Sequence, residues 1–154
     1  MKNSIERLDP ADRILAEEIL RVQLAAYRQE AELLGAKFFP PLGRTLEELQ
    51  SRQEQFFGVR VGGKVAAVLS AGPDPAGGGM RIASLTVAPP CQRLGLGRLL
   101  VAKVLAEFGP VAWTVATGAG NGPALALYAG FGFQVRSRAR VGPEGLEIVE
   151  LRRG

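Results

Sequence analysis

The stretch SLTVAPPCQRLGLGRLL, Ser84 to Leu100, constrains the fold more than any other part of the chain. It follows on from a strand-like run, RIASLTVA from Arg81 to Ala88, which Pro89-Pro90 must stop because proline has no N–H for a ladder. Gly95 and Gly97 then stand one residue apart, and Leu96, Leu99, Leu100, Val104 and Phe108 recur at helical spacing until Gly109-Pro110 ends the run. A strand, a glycine turn and a helix start in succession commit this segment to a β–turn–α unit. The first N–H groups of such a helix are unpaired and partly positive, so an anion can sit on them, and glycines let it approach the backbone. Arg93 and Arg98 can add charge-assisted contacts. On these residues alone, a flexible turn into an ordinary helix remains the alternative.

The two common nucleotide loops do not fit. A Walker loop needs G-x-x-x-x-G-K-[ST], which the chain lacks. A dinucleotide fingerprint counted from Gly95 requires a third glycine where Leu100 stands, and GAGNGP, counted from Gly118, meets Pro123 at that position.

The remaining elements follow from punctuation and periodicity. A short strand is expected near Ser4 to Arg7. Asp9-Pro10 reads as a cap and first turn, followed by Leu15, Ile19, Val22 and Ala26 on one helical face and a stop at Gly35. KFFPPLG, Lys37 to Gly43, is a proline-stiffened loop. Thr45 with Glu48 three residues on reads as a capping box, opening a helix to about Gln55. Two strand runs flank Gly62-Gly63 as a hairpin, and DPAGGG is a flexible connection. VAWTVAT, ALALYAG, FGFQVRSRAR and LEIVELR complete a strand, a short helix and two strands. The order is β-α-α-β-β-β-α-β-α-β-β: a mixed α/β sheet with helices on both faces, in a single domain spanning 1–154.

Composition removes several chemistries. The 154 residues contain no histidine and one cysteine, which leaves no histidine-based triad and no plausible metal site, so no bound metal is expected. No apolar run approaches the roughly 20 residues of a membrane helix, and MKNSIERLDPADR lacks a secretory apolar stretch. A cytoplasmic protein with no membrane partner is the expectation. The net charge of +4 comes from scattered arginines without a lysine-rich arm, so nucleic acid is not an expected partner.

The second half also carries N-G-P-A-L-A-L-Y-A-G-F-G-F, Asn121 to Phe133. Together with QRLGLG it resembles the GNAT superfamily of acetyl-CoA-dependent N-acetyltransferases. Gln92, Gly95 and Gly97 match that family's [QR]-x-x-G-x-[GA] loop. Asn121, Ala124, Leu127, Tyr128, Gly132 and Phe133 match its N-x-x-A-x-x-L-Y-x-x-x-G-F segment. The likeness is specific over Arg81 to Phe133 and, before that, extends only to the order of elements. It implies a mostly antiparallel sheet with acetyl-CoA as cofactor. Backbone N–H groups of Arg93, Leu94, Gly95, Leu96, Gly97 and Arg98 would hold the pyrophosphate, with Gln92 at the head of the loop. Leu85, Thr86 and Val87 would pair with the pantetheine arm where their strand diverges from VAWTVAT. Asn121 would hydrogen-bond that arm, with Ala124 beside it, and Tyr128 would stand near the sulfur as general acid.

One part of the family pattern is missing. Many members carry a glutamate on the strand before the loop, where this chain has Ala83 and Ser84. Deprotonating a lysine-like amine at pH 7 costs about 4.6 kcal/mol, and an α-amine only about 1 kcal/mol. The acceptor is therefore a low-pKa primary amine, or a relay through water reaches one of Glu30, Glu32, Glu54 or Glu147. Each of these also reads as solvated surface charge, and no base is assigned. Phe38 and Phe39 are expected to line the acceptor site, with packing of the loop as the other reading. Long-range attraction favours neutral or anionic acceptors unless a local acidic groove overrides it. The expected activity is acetyl transfer to a small-molecule amine or a peptide N-terminus. A non-catalytic acyl-CoA sensor is the alternative, and a homodimer through the C-terminal strands is a further expectation.

Overall fold

A computed structural model describes residues 4–154. Seven strands form one sheet in the order β1-β2-β3-β4-β5-β7-β6. They are β1 (Ile5–Leu8), β2 (Gln55–Val61), β3 (Lys64–Pro73), β4 (Met80–Val87), β5 (Trp113–Gly118), β6 (Gln134–Val141) and β7 (Leu146–Arg153). The helices are α1 (Arg13–Leu34), α2 (Leu46–Ser51), α3 (Leu96–Glu107) and α4 (Gly122–Gly130), with 3-10 turns at Pro40–Gly43 and Pro89–Cys91. All neighbouring strands run antiparallel except β4 and β5. The expected element order and the mostly antiparallel sheet are what the chain adopts.

Alternation along the strands sorts the core into two layers. Phe56 and Val68 face Ala16, Ile19, Val22 and Leu49, so α1 and α2 cover one face. Phe57 and Leu69 face Leu96, Leu100, Val104 and Tyr128, so α3 and α4 cover the other. Gly35, at φ +65, ends α1 as its sequence position suggests, and the Ala36 N–H donates back to the Ala31 carbonyl at 2.9 Å.

Several boundaries differ from the sequence reading, three of them in the first half of the chain. The first strand is Ile5–Leu8, one residue later than expected, and Leu8 pairs with Phe56 and is buried. Helix α1 starts at Arg13, because Asp12 rather than Asp9 caps it, accepting from the Ile14 and Leu15 N–H groups at 3.0 and 3.3 Å. Asp9 instead holds a turn, accepting from the Ala11 and Asp12 N–H groups. Helix α2 has the expected Thr45 cap but stops at Ser51, because Gln55 is already paired with Ala71 in the sheet.

The parallel contact of β4 with β5 positions everything that follows. It covers only Met80↔Trp113 and Arg81↔Thr114. A polar cluster holds this closed end: Thr114 donates to Asp74 at 2.9 Å, and Arg81 donates to Thr114 at 3.0 Å and Glu150 at 2.7 Å. Gly79 is required there. Its φ is +155, and a Cβ would lie 2.3 Å from the Ala112 carbonyl oxygen, which accepts from the Met80 N–H at 2.9 Å. Beyond Arg81 the two strands part.

Gly79→Ala is expected to lower stability by about 1–3 kcal/mol, because the clash is with backbone. Urea denaturation checks this; an unchanged midpoint would show that the junction tolerates a side chain.

Candidate active site

Where β4 and β5 part, a cleft of about 610 Å³ opens, a size suited to a small organic ligand. Its floor includes Leu85, Thr86 and Val87 of β4, whose partners on the other edge are Leu69, Val68 and Ala67 of β3. The edge facing β5 has no ladder partner there. Strand edges of this kind present unpaired N–H and C=O groups that call for water or a ligand.

The loop Gln92–Gly97 and the start of α3 close one end of the cleft. Side-chain oxygens cap α1, α2 and α4, from Asp12, Thr45 and Asn121 respectively. Helix α3 has no such cap: its N-cap is Gly95, in the left-handed region at φ +77. Its first N–H groups are therefore left for something outside the helix. Arg93, at φ +67, is the non-glycine residue held in the left-handed region among the described residues. Non-glycine residues are strained there, and such strain collects at binding loops. The Gln92 amide donates to the Gln29 side chain of α1 and, at 3.3 Å, to the Val87 carbonyl, tying the loop to α1 and β4. A Cβ on Gly97 would lie 3.5 and 3.7 Å from the Leu127 and Leu85 side chains, so this glycine faces α4 and β4 at ordinary contact distance.

Helices from both faces of the sheet meet in the gap. Tyr27 and Glu30 come from α1, and Asn121, Ala124 and Tyr128 from the start and body of α4. Asn121 Oδ1 accepts from the Ala124 N–H at 3.2 Å, which leaves its amide nitrogen as the group able to reach a ligand. The Tyr128 ring is buried and packs edge-on to Phe133, with centroids 5.5 Å apart. Burial, then the Glu30 carboxylate and Tyr27, push the Tyr128 phenol well above its ordinary value. It therefore stays protonated throughout the neutral range. Burial also raises Tyr27, against the opposing Arg44 charge, and Glu30 adds to the rise. Burial alone raises the Glu30 carboxyl.

The sequence-derived residues divide as follows. Leu85, Thr86, Val87, Gln92, Arg93, Gly95, Leu96, Gly97, Arg98, Asn121, Ala124 and Tyr128 all line this one cleft. Leu94 does not; its side chain turns outward and is 57% exposed. Phe38 and Phe39 do not line it either. Phe38 is exposed near Gly142, its N–H and that of Lys37 held by the Glu144 carboxylate of the β6–β7 turn at 3.1 and 2.9 Å. Phe39 stands behind Tyr27, ring centroids 6.2 Å apart. Tyr27 escaped the sequence reading, although Ile19, Gln23 and Tyr27 stand four apart and form one buried ridge of α1. Of the four carboxylates considered for a relay, only Glu30 lines the cleft. Glu54 pairs with Arg52, Glu147 pairs with Arg138, and Glu32 is exposed. Ser84, at the position of the missing strand glutamate, is buried and bonded to Ser70 at 2.6 Å and Gln23 at 3.4 Å.

Comparison with known proteins identifies the family and the fold. The model of the acetyltransferase (GNAT) family matches residues 18–133. UPF0157 protein YqkA of Bacillus subtilis (strain 168) is 34% identical over 131 residues, covering 84% of this chain. The chain spans only 38% of that relative's length. The fold is similar to that of the ribosomal-protein-S18-alanine N-acetyltransferase from Escherichia coli, with TM-score 0.75, 20% identity, and 98% and 92% of the two chains covered. It is also similar to yncA from Salmonella typhimurium, solved with its cofactor acetyl-CoA, with TM-score 0.72, 18% identity, and 99% and 94% covered.

The raised Glu30 carboxyl has a consequence for stability. The folded state holds its proton above the ordinary value of 4.5, so this contribution is fully present below that value and lost as pH rises through the raised one. Glu30→Gln is expected to melt no lower than the parent at pH 7, with a flatter pH dependence above 4.5. A variant less stable at pH 7 with the parental slope would contradict this.

Proposed function

Because the chain belongs to the acetyltransferase (GNAT) family, we propose that it moves an acetyl group from acetyl-CoA to the primary amine of a small molecule or peptide N-terminus. The observation that carries this reading is the joining of an uncapped helix start, an open strand edge and a buried tyrosine in one cleft. Each has a counterpart in the cofactor. The α3 N–H groups, helped by Arg93 and Arg98, suit the pyrophosphate. The free edge of Leu85, Thr86 and Val87 suits the two amides of the pantetheine arm, and the Asn121 amide nitrogen is a further donor. Bound there, the thioester supplies an activated acetyl carbon near Tyr128.

Tyr128 then acts as the general acid. Its raised pKa keeps the proton in place but makes it a reluctant donor to a thiolate of pKa roughly 8.5. The phenol can give its proton to sulfur only while recovering one from the attacking nitrogen, so it shuttles a proton between the two. A backbone N–H of Leu85 to Val87 is the candidate oxyanion donor.

The acyl-CoA sensor remains a second reading because Ser84, where many members have glutamate, is locked in hydrogen bonds to Ser70 and Gln23. Assembly as a homodimer finds support in edge strand β6, every residue of which is exposed. The arginines Arg136 and Arg138 on it are paired with Glu150 and Glu147, which blunts such an edge.

Thiol release with acetyl-CoA and a panel of amines tests the proposal. Tyr128→Phe is expected to lower kcat by roughly 10²–10⁴-fold with CoA affinity retained. Gly95→Asp with Gly97→Asp is expected to abolish the thermal stabilisation by CoA, about 2.7 kcal/mol at a hundredfold excess over Kd. Stabilisation by CoA without turnover of any amine would favour the sensor, and no stabilisation of the parent would refute the cofactor site.

A further inference from the structure

Helix α1 turns one face into the cleft. Tyr27, Glu30 and Leu33 follow one another at spacings of three around it, with Ala26 four before Glu30, and line the wall opposite α4. Glu30 is the carboxylate on that wall. It is half-buried and has no cationic partner among the described residues, whereas Glu6, Glu18, Glu54, Glu107, Glu147 and Glu150 are each paired with an arginine. The groups facing it include Tyr27 on its own helix and Tyr128 on α4, with Cys91, Arg93 and Arg98 further along the lining. β4 contributes no titratable side chain to the lining. Arg98 lies at the start of α3, away from this wall, with its guanidinium over the Phe131 ring at 5.6 Å. Arg44 lies over the Tyr27 ring at 5.8 Å, bonds to Gln23 at 2.9 Å, and does not line the cleft.

A carboxylate without a counter-ion, beside a tyrosine hydroxyl and among apolar side chains, fits a ligand that brings the opposite charge. Resting on the acetyl-transfer reading, we infer that Glu30 binds the acceptor's ammonium group and takes its proton, and that the acceptor is a primary amine on an apolar body without an adjacent carboxylate. Ala26, Leu33, Leu85 and Leu127 supply apolar contact. A carboxylate next to the amine would meet Glu30 at short range, with no free cation on this wall to offset the repulsion. The local charge thus overrides the long-range preference expected from a net charge of +4.

The proton balance closes. Glu30 takes one proton from R–NH3+ and frees the nitrogen lone pair, which forms the N–C bond to the acetyl carbon. The C–S bond breaks with its electron pair on sulfur. Tyr128 gives its proton to sulfur and receives the second proton from nitrogen. Glu30 then releases its proton to water, leaving the N-acetyl amide and the CoA thiol. Burial makes Glu30 a stronger base than an exposed carboxylate, which shortens the climb from the amine.

Calorimetry on the protein–CoA complex tests this with phenethylamine and, as the carboxylate-bearing counterpart, phenylalanine. Phenethylamine is expected to bind the parent and to weaken by roughly 10- to 100-fold in Glu30→Gln, with partial recovery in Glu30→Asp and unchanged CoA affinity. Phenylalanine is expected to bind the parent more weakly than phenethylamine, and Glu30→Gln to narrow the gap. The acid limb of kcat/KM against pH should disappear in the same variant. If CoA binds and amines are acetylated, but phenethylamine binds Glu30→Gln as well as the parent, or binds neither, the inference is overturned and acetyl transfer stands. If the parent does not bind CoA, acetyl transfer itself fails and this inference with it.

Discussion

Two parallel strands that pair for two residues and then part are what the rest of the molecule depends on. At the closed end, Gly79 admits the Ala112 carbonyl, and Asp74, Thr114, Arg81 and Glu150 hold the junction by hydrogen bonds. At the open end, peptide groups of β4 are left without a ladder, and unpaired buried peptide groups cost about 1–3 kcal/mol each. The gap also lets the two helical layers meet through the sheet. Tyr27 and Glu30 belong to one layer and Tyr128 to the other, and only the separation of β4 and β5 brings them into one cleft.

The end of α3 extends the same logic. The other three α-helices close their N-termini with their own side chains, and this one ends in a left-handed glycine behind a strained arginine. Leaving donors open is unfavourable for the isolated fold and favourable for a ligand with anionic oxygens. Preorganisation of this kind transfers the cost from binding to folding, which a core with Trp113, Phe56 and Phe57 fully buried can sustain.

Local chemistry was legible in the sequence, and distant packing was not. Gly35, the Thr45 cap, the Gly62-Gly63 hairpin and the turn–helix at Gly95 depend on residues within a few positions of each other, so their patterns carried through. Asp9 and Asp12 are both plausible caps, and the choice between them depends on where α1 must lie to bury Ala16 and Ile19 against β3. The adjacent phenylalanines looked like an acceptor wall because they are large and apolar. Their place is decided instead by the Glu144 clamp from a turn more than a hundred residues away and by Tyr27. Glu30 was one of four equivalent carboxylates until the fold showed three of them to be paired or exposed.

The central claim is that the uncapped start of α3 and the free edge of β4 form one binding surface for CoA. Amide chemical shifts of the 15N-labelled protein during titration with CoA test it most directly. The account predicts the largest changes at Gly95, Gly97 and Arg98 and at Leu85, Thr86 and Val87, saturating together with one affinity. Changes concentrated elsewhere, such as on the β6–β7 hairpin, or none at saturating CoA, would contradict it.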